Sequence, residues 1–103
     1  MTDYYQGDII RISGYKENCF LIISKNSFIQ ATGVFHVCPI MKSLAVGPLH
    51  IAVAGKEGTK GTAMCEQMKL IDPGKRNCTK TDRIPYEDIM NVSDAIQGIF
   101  EYE

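Results

Sequence analysis

Short apolar runs separated by polar turns fill the first two thirds of the chain, a pattern typical of β-strands. The apolar segments predict five or six strands, over residues 9–12, 19–24, 34–40, 50–53 and 62–71. The second segment is almost continuously apolar, so we expect a central strand that is buried on both faces. Pro39 lies near the end of the third segment and should end its regular pairing, because proline lacks the N–H that a ladder needs.

The C-terminal segment changes from strand to helix periodicity. Pro85 is suited to the first turn of a helix, and apolar residues then recur at spacings of three and four, at Ile89, Val92, Ile96 and Ile99. This pattern predicts an amphipathic helix of about 15 residues. The whole pattern predicts a mainly β (β-rich α+β) fold in which one domain, residues 1–103, forms a strongly bent sheet or open barrel capped by the helix.

Composition narrows the class of protein. The chain has 103 residues, of which 45% are hydrophobic and 22% are charged. These values are typical of one globular domain and exclude a multi-domain enzyme and a disordered chain. The formal net charge is only -1, but residues 56–83 carry a net +3 and residues 84–103 a net -5. A basic middle followed by an acidic end is a charge asymmetry that the near-zero net charge conceals.

Targeting signals and metal motifs are not apparent in the sequence. No apolar run is long enough to span a membrane, and the N-terminal residues do not resemble a signal peptide, so we expect a cytoplasmic protein. The four cysteines, Cys19, Cys38, Cys65 and Cys78, form no C-x-x-C pair, which predicts free thiols and neither a metal nor a cofactor. His36 shares a strand face with Cys38, and we favour a packed histidine over a pair of metal ligands.

Two polar clusters lie next to the predicted strands and contain the candidate binding groups. Lys16 and Asn18 precede the second strand, and Lys42 and Ser43 follow the third. Cationic, amide and hydroxyl groups of this kind hold nucleic-acid backbones, although ordinary solvated loops have the same composition. His50 follows a loop and fits either a solvated histidine or one that contacts a phosphate.

The order of the sequence segments resembles that of the MazF/PemK toxins of bacterial toxin–antitoxin modules. The segments that carry the resemblance are Gly-Asp at 7–8, the aliphatic strand ending in Ser24, Cys-Pro-Ile at 38–40, Pro-Leu-His-Ile at 48–51, Cys-Glu-Gln-Met-Lys-Leu-Ile-Asp at 65–72, and the acidic terminal helix. Each segment alone is common in proteins, whereas their order and spacing cover nearly the whole chain.

The resemblance implies a fold, an activity and partners. The fold would be a small SH3-like barrel with a C-terminal helix, and the chain would form a homodimer. Because a domain of this size has a limited core, we predict that residues 66–72 and the aliphatic strands provide the shared surface. The activity would be that of an mRNA interferase, a metal-independent endoribonuclease (a hydrolase) in which a 2′-hydroxyl of single-stranded RNA attacks the adjacent phosphorus. A cognate antitoxin would block the RNA groove with an acidic tail.

The sequence departs from the family pattern at its two usual catalytic positions. The family usually has Arg-Pro before the aliphatic strand, where this chain has Asn18 and Cys19, and a threonine or serine after the third strand, where this chain has Met41. Asparagine lacks the charge of arginine, and methionine donates no hydrogen bond.

Neighbouring residues are candidates to replace these two groups. Lys16 could supply the cation, Ser43 or Lys42 could contact the phosphate, and His50 lies where some relatives also have histidine. The candidate catalytic residues are therefore Lys16, Asn18 and Ser43, and the candidate RNA-binding residues are Lys16, Lys42, Ser43 and His50. The alternatives are a catalytically silent member that binds RNA or an antitoxin, and a toxin with another target, since related small-barrel toxins poison DNA gyrase.

Overall fold

A computed structural model describes residues 3–15, 18–42 and 45–101, which form seven strands and two helices. The elements in chain order are β1 (Asp8–Ile12), β2 (Cys19–Ile22), α1 (Asn26–Thr32), β3 (Phe35–Met41), β4 (His50–Ala54), β5 (Lys60–Met64), β6 (Lys69–Ile71), β7 (Cys78–Arg83) and α2 (Tyr86–Ile99). The mainly β class and the C-terminal helix are confirmed. The strand count exceeds the predicted five to six because β7, which is mostly polar, has no apolar alternation.

All strand pairs are antiparallel, and the sheet has the order β4-β5-β3-β2-β1-β7, with β6 paired to β3. In the described part of the chain no ladder joins β4 to β7, so the sheet is open. The prediction that Pro39 ends the regular pairing of its strand is wrong, since Pro39 itself pairs with Phe20 and β3 continues to Met41. Pro39 lies where β3 changes partners, between its ladder with β6, which ends at Val37, and its ladder with β5, which begins at Ile40. Position 39 pairs with neither β6 nor β5, so no ladder on that side of β3 requires a backbone N–H from the proline.

The sheet buries apolar residues on both faces, which form two core clusters. On β1, Ile9 belongs to one cluster and Ile10 to the other; on β2, Leu21 and Phe20 divide in the same way. Successive strand residues point to opposite faces, so a central strand between two cores needs an almost continuous apolar sequence. The prediction of a central strand here is confirmed, although β2 ends at Ile22, two residues before the predicted end at Ser24.

Helix α2 covers the first of these clusters. It begins after Pro85, has Glu87 and Asp88 in its first turn, and buries Val92, while Ile89 and Ile96 pack against the same cluster. The prediction that Ile89, Val92 and Ile96 lie on the inward face of the helix is therefore confirmed. No helix in the described residues is long and apolar enough to cross a membrane.

The carboxylate of Asp82 fastens the β4–β5 turn to β7, the edge strand at the far end of the sheet. Asp82 is buried and accepts hydrogen bonds from the backbone N–H groups of Glu57 (2.9 Å), Thr59 (3.0 Å) and Arg83 (2.7 Å). The Lys56 N–H also donates to the Arg83 carbonyl at 3.0 Å. Burial raises the pKa of Asp82, but the hydrogen bonds lower it by more, to about 2. The carboxylate thus links the two edges of the open sheet, which no strand pairing joins.

Candidate nucleic-acid interface

A row of side chains crosses one face of the sheet from β2 to β4. Met41 pairs with Thr62, and Thr62 pairs in turn with Ala52. Continuing the β2–β3 register by one residue places Asn18 opposite Met41. Directly paired residues of an antiparallel ladder project to the same side of the sheet. The two positions at which the sequence departs from the family pattern are therefore neighbours.

Further side chains extend this surface along β4 and β5. His50 pairs with Met64, and Ala54 pairs with Lys60. On β4, His50 and Ala54 are each two residues from Ala52; on β5, Lys60 and Met64 are each two residues from Thr62. Since side chains two apart share a face, these residues lie on the same side as Met41. We call this surface the Met41–His50 face; it comprises Asn18, Met41, His50, Ala52, Ala54, Lys60, Thr62 and Met64.

His50 is fixed in position by its main chain and by a carboxylate. Its N–H and carbonyl exchange hydrogen bonds with Gly47 at 3.2 and 2.9 Å, which holds the turn before β4. Its Nε2 lies 3.0 Å from Oε2 of Glu66. The hydrogen bond from His50 lowers the pKa of Glu66. Because Glu66 is then an acceptor, Nε2 carries the proton in the neutral ring and Nδ1 has a free lone pair. A half-buried imidazole oriented in this way is equipped for proton transfer.

The predicted site residues are only partly brought together. Asn18 donates its backbone N–H to the Tyr15 carbonyl at 3.4 Å, and Lys42 is exposed just beyond β3. His50 shares a face with Met41, but β5 separates the two. The predictions for Lys16 and Ser43 fall outside the described residues.

Two residues were not predicted as part of the site: Lys60 on the Met41–His50 face, and Glu66, the partner of His50. Glu66 is 16 residues from His50, a spacing that no local pattern connects. Lys60 could have been found, because Lys60, Thr62 and Met64 alternate with Gly61 and Ala63 along one strand.

The basic residues of the middle segment do not form one patch. Arg83 and Lys80 bind the buried Asp8 carboxylate at 2.8 and 3.1 Å. The Arg76 guanidinium lies 5.0 Å from the ring centre of Tyr15, a cation–π arrangement. Much of the positive charge of residues 56–83 is therefore used within the protein, whereas Lys60 is exposed on the Met41–His50 face.

His36 fits the packed interpretation rather than a metal site. Its Nδ1 lies 2.9 Å from the Ser24 hydroxyl oxygen, which also accepts the His36 backbone N–H at 2.7 Å, and its ring lies 5.4 Å from that of Phe28. Cys38 is buried on the same strand. Within the three described stretches, no group of three or more His, Cys, Asp or Glu side chains could hold a metal ion.

Comparison with known proteins identifies the fold. No protein-family model and no curated protein matches the sequence. A MazE–MazF complex from Deinococcus radiodurans contains a chain that is 14% identical, with a TM-score of 0.81 over 96% of this chain and 97% of that one. An endoribonuclease from a mycobacterial species is 12% identical (TM-score 0.80, 95% and 91% covered). An endoribonuclease in complex with its cognate antitoxin, also mycobacterial, is 13% identical (TM-score 0.80, 97% and 99% covered). The chain therefore has the MazF fold.

Proposed function

We propose that this protein is the toxin of a bacterial toxin–antitoxin module and cleaves single-stranded RNA without a metal ion. The observation that carries the proposal is the match, over nearly the full length of both chains, to an endoribonuclease and to an endoribonuclease bound to its antitoxin. The His50–Glu66 pair supports it, because RNA cleavage needs a group that moves protons and this pair offers one on an accessible surface.

The proposed reaction is the attack of a 2′-hydroxyl on the adjacent phosphorus. Nδ1 of His50 accepts the 2′-hydroxyl proton, and Glu66 holds the tautomer and stabilises the imidazolium that forms. The new 2′ oxygen–phosphorus bond replaces the bond to the 5′ oxygen, which leaves with a proton from the imidazolium or from water. The products are a 2′,3′-cyclic phosphate and a 5′-hydroxyl.

Cations beside the reacting phosphate stabilise its extra negative charge. Lys60 lies on the Met41–His50 face and Lys42 is exposed beside it, so both can attract the RNA backbone. Lys16 is the proposed cation in place of the family arginine, with Asn18 as a neutral donor and Ser43 as a phosphate contact. A lysine is a point charge without the two-pronged fit of arginine to phosphate, so we expect slower cleavage than in relatives with the arginine.

The apolar part of the face suits unpaired bases. Met41 is 37% exposed and Met64 is half-buried, and both lie between Asn18 and His50. Polarisable thioethers pack well against aromatic rings, and bases are free to lie on such a surface when the RNA is single-stranded. An antitoxin with an acidic segment would compete for the same lysines, which is the proposed basis of inhibition.

We also propose that the chain forms a homodimer through an apolar groove. The groove has a volume of about 300 Å³ and is lined by Ile23, Ser24, His36, Met68, Ile96 and Phe100. Phe100 is 70% exposed, and the adjoining Leu70, which pairs with His36, is 61% exposed. A domain of this size has a limited core, so a second copy that buries both side chains gains substantially. Leu70 and Met68 belong to the 66–72 segment predicted to form the shared surface.

Sedimentation equilibrium tests the dimer. We expect a dimer at tens of micromolar for the wild type and a monomer for Phe100→Asp. Tyr86→Asp is the matched control, because Tyr86 is an aromatic residue of α2 with similar exposure, 74%, away from the groove. A wild-type monomer, or equal dissociation of both variants, would overturn this arrangement.

The nuclease proposal is tested by incubating the purified protein with a long RNA, with and without EDTA. We expect cleavage that EDTA leaves unchanged, and cyclic phosphate ends. His50→Gln should lower the single-turnover rate at least about 100-fold, the usual scale for a general base. Lys16→Ala should lower it at least about tenfold. Lys75→Gln, in an exposed turn away from the face, is the control and should cleave at the wild-type rate.

A second candidate function is a catalytically silent family member that binds RNA or an antitoxin. The substitutions Asn18 and Met41 favour it, because neither side chain supplies the charge or the hydroxyl usual at its position. RNA binding without cleavage, by both the wild type and Asn18→Arg with Met41→Thr, would replace the nuclease proposal with this one. Inhibition of DNA supercoiling by gyrase would instead indicate a different target.

A further inference from the structure

Two cysteines face each other across the sheet within the core. Cys38 lies on β3, Cys65 directly follows β5, and both side chains are fully buried. The register that pairs Ile40 with Ala63 brings Cys38 opposite Cys65 when it is continued by two residues. The Cys38 thiol donates a hydrogen bond to the Cys65 carbonyl oxygen at 3.6 Å.

This placement is compatible with a disulfide. Directly opposed residues of an antiparallel ladder have Cα atoms about 4.5–5.5 Å apart, and a disulfide spans Cα separations of about 4.4–6.8 Å. The β3–β5 ladder ends at Ile40–Ala63, so Cys65, in the turn after β5, lies near this spacing without being held at it. The other two thiols lie elsewhere in the sheet, with Cys19 on β2 and Cys78 on β7, and both are half-buried. The chain thus contains one opposed thiol pair and two separate thiols for comparison.

We propose that hydrogen peroxide converts Cys38 and Cys65 into a reversible disulfide, and that this disulfide moves Glu66 away from His50. The disulfide and the movement of Glu66 concern the structure alone. Their consequence, redox control of RNA cleavage, rests on the proposed function.

The oxidation proceeds in two steps. The Cys65 thiolate attacks one oxygen of the peroxide, which gives a sulfenic acid at Cys65 and, after protonation of the hydroxide that leaves, water. The Cys38 sulfur then attacks the Cys65 sulfur, the S–S bond forms, and a second water leaves. Two thiols are oxidised while one peroxide is reduced to two waters. The neighbouring Cys65 thiol and burial both raise the pKa of Cys38, so we take Cys65 as the first nucleophile.

The disulfide acts on the site through the backbone. Glu66 is bonded directly to Cys65, and the Cys65 N–H donates to the Leu49 carbonyl at 2.9 Å, next to His50. Because no ladder pair holds Cys65 to β3, closing the two sulfurs to the S–S length of about 2.05 Å moves the Cys65 segment toward β3 as well as the two side chains. That movement is directed away from β4, which carries His50. A displacement of about 1 Å at a catalytic group is enough to slow a reaction strongly.

The disulfide is tested in a variant with only the opposed pair, Cys19→Ser with Cys78→Ser. Treatment of the folded protein with peroxide should remove two hydrogen atoms from its mass and link the peptides that contain Cys38 and Cys65, and a thiol reductant should reverse both changes. The matched variant, Cys38→Ser with Cys65→Ser, should gain oxygen atoms without an internal link. Thermal unfolding before oxidation verifies that both variants are folded. Linkage only in denaturant, or oxygen addition without linkage in the first variant, would overturn the proposal.

The effect on the site has two separate measurements. The imidazole resonances of His50 should shift on oxidation of the first variant, since its carboxylate partner is displaced; unchanged resonances would overturn the movement of Glu66. RNA cleavage should fall at least about tenfold and recover on reduction. If the reduced protein cuts no RNA, the nuclease proposal fails, while the linked peptides and the His50 resonances still decide this one.

Discussion

Replacing Asp82 by asparagine removes the charge that fastens the β4–β5 turn to β7. The carboxylate has two oxygens for three backbone N–H donors: Oδ1 accepts from Glu57 and Arg83, and Oδ2 accepts from Thr59. The asparagine oxygen can keep the first two bonds. Its NH₂ group then faces the Thr59 N–H, donor against donor.

The expected loss of stability follows from these contacts. A donor left without a partner in a buried setting costs about 1–3 kcal/mol, and neutral hydrogen bonds are weaker than those to a charged acceptor. Asp82→Asn should therefore lower the free energy of unfolding by about 2–3 kcal/mol at pH 7. Because the β4–β5 turn joins the strands that carry His50 and Lys60, the variant tests what holds the candidate site together.

The loss should depend on pH in a definite direction. The pKa of Asp82 is about 2 in the folded protein, below the usual value of about 3.9 for an unfolded chain. The carboxylate therefore contributes stability above about pH 4, and this contribution is lost as the pH falls through the folded pKa. Asparagine does not titrate, so the difference between wild type and variant should narrow between pH 5 and pH 2.

Urea unfolding followed by circular dichroism measures both effects. Asp72→Asn is the matched control, since Asp72 is half-buried in a turn and accepts a hydrogen bond from the Gly74 N–H at 2.9 Å. That change should cost less than about 1 kcal/mol. An Asp82→Asn loss no larger than the control's, or one that stays constant down to pH 2, would show that this carboxylate does not link the two edges of the sheet.

Further predictions concern packing and chemistry. Val92→Ala should cost about 1–3 kcal/mol in urea unfolding, because Val92 lies on the inner face of α2 and is 2% exposed; a loss under about 0.5 kcal/mol, the scale of surface changes, would mean the helix is packed differently. Gly55→Ala should lower the melting temperature, since an added Cβ would lie 2.1 Å from an Asp82 oxygen; an unchanged value would contradict that close approach. Asn18→Arg with Met41→Thr should raise the single-turnover cleavage rate at least about tenfold, because a cation and a hydroxyl would return to adjacent positions; an unchanged rate would argue against a site at this row.

Helix α1 and strand β7 could not be predicted from the pattern of apolar positions. The seven residues of α1 bury only Ile29, so its apolar residues show no helical repeat. β7 buries only Asp82 of its six residues and is held by its pairing with β1 and by the Asp8 ion pairs with Lys80 and Arg83. Periodicity records which side chains face a core, and these two elements contribute little to one.

The elements whose side chains meet the core could be predicted from local sequence: the doubly buried β2, the strand around Pro39, and the terminal helix with its inward face at Val92. Their apolar spacing is a local property, because each follows from the geometry of one strand or one helix. The polar contacts were decided by tertiary structure. The pairing of His50 with Glu66 across 16 residues depends on the register of β4 with β5 and on the turn that follows. The distance between two side chains that are far apart in sequence depends on the ladder registers and on the path of the chain between strands. Registers and chain path are set by the packing of the whole sheet rather than by any one segment.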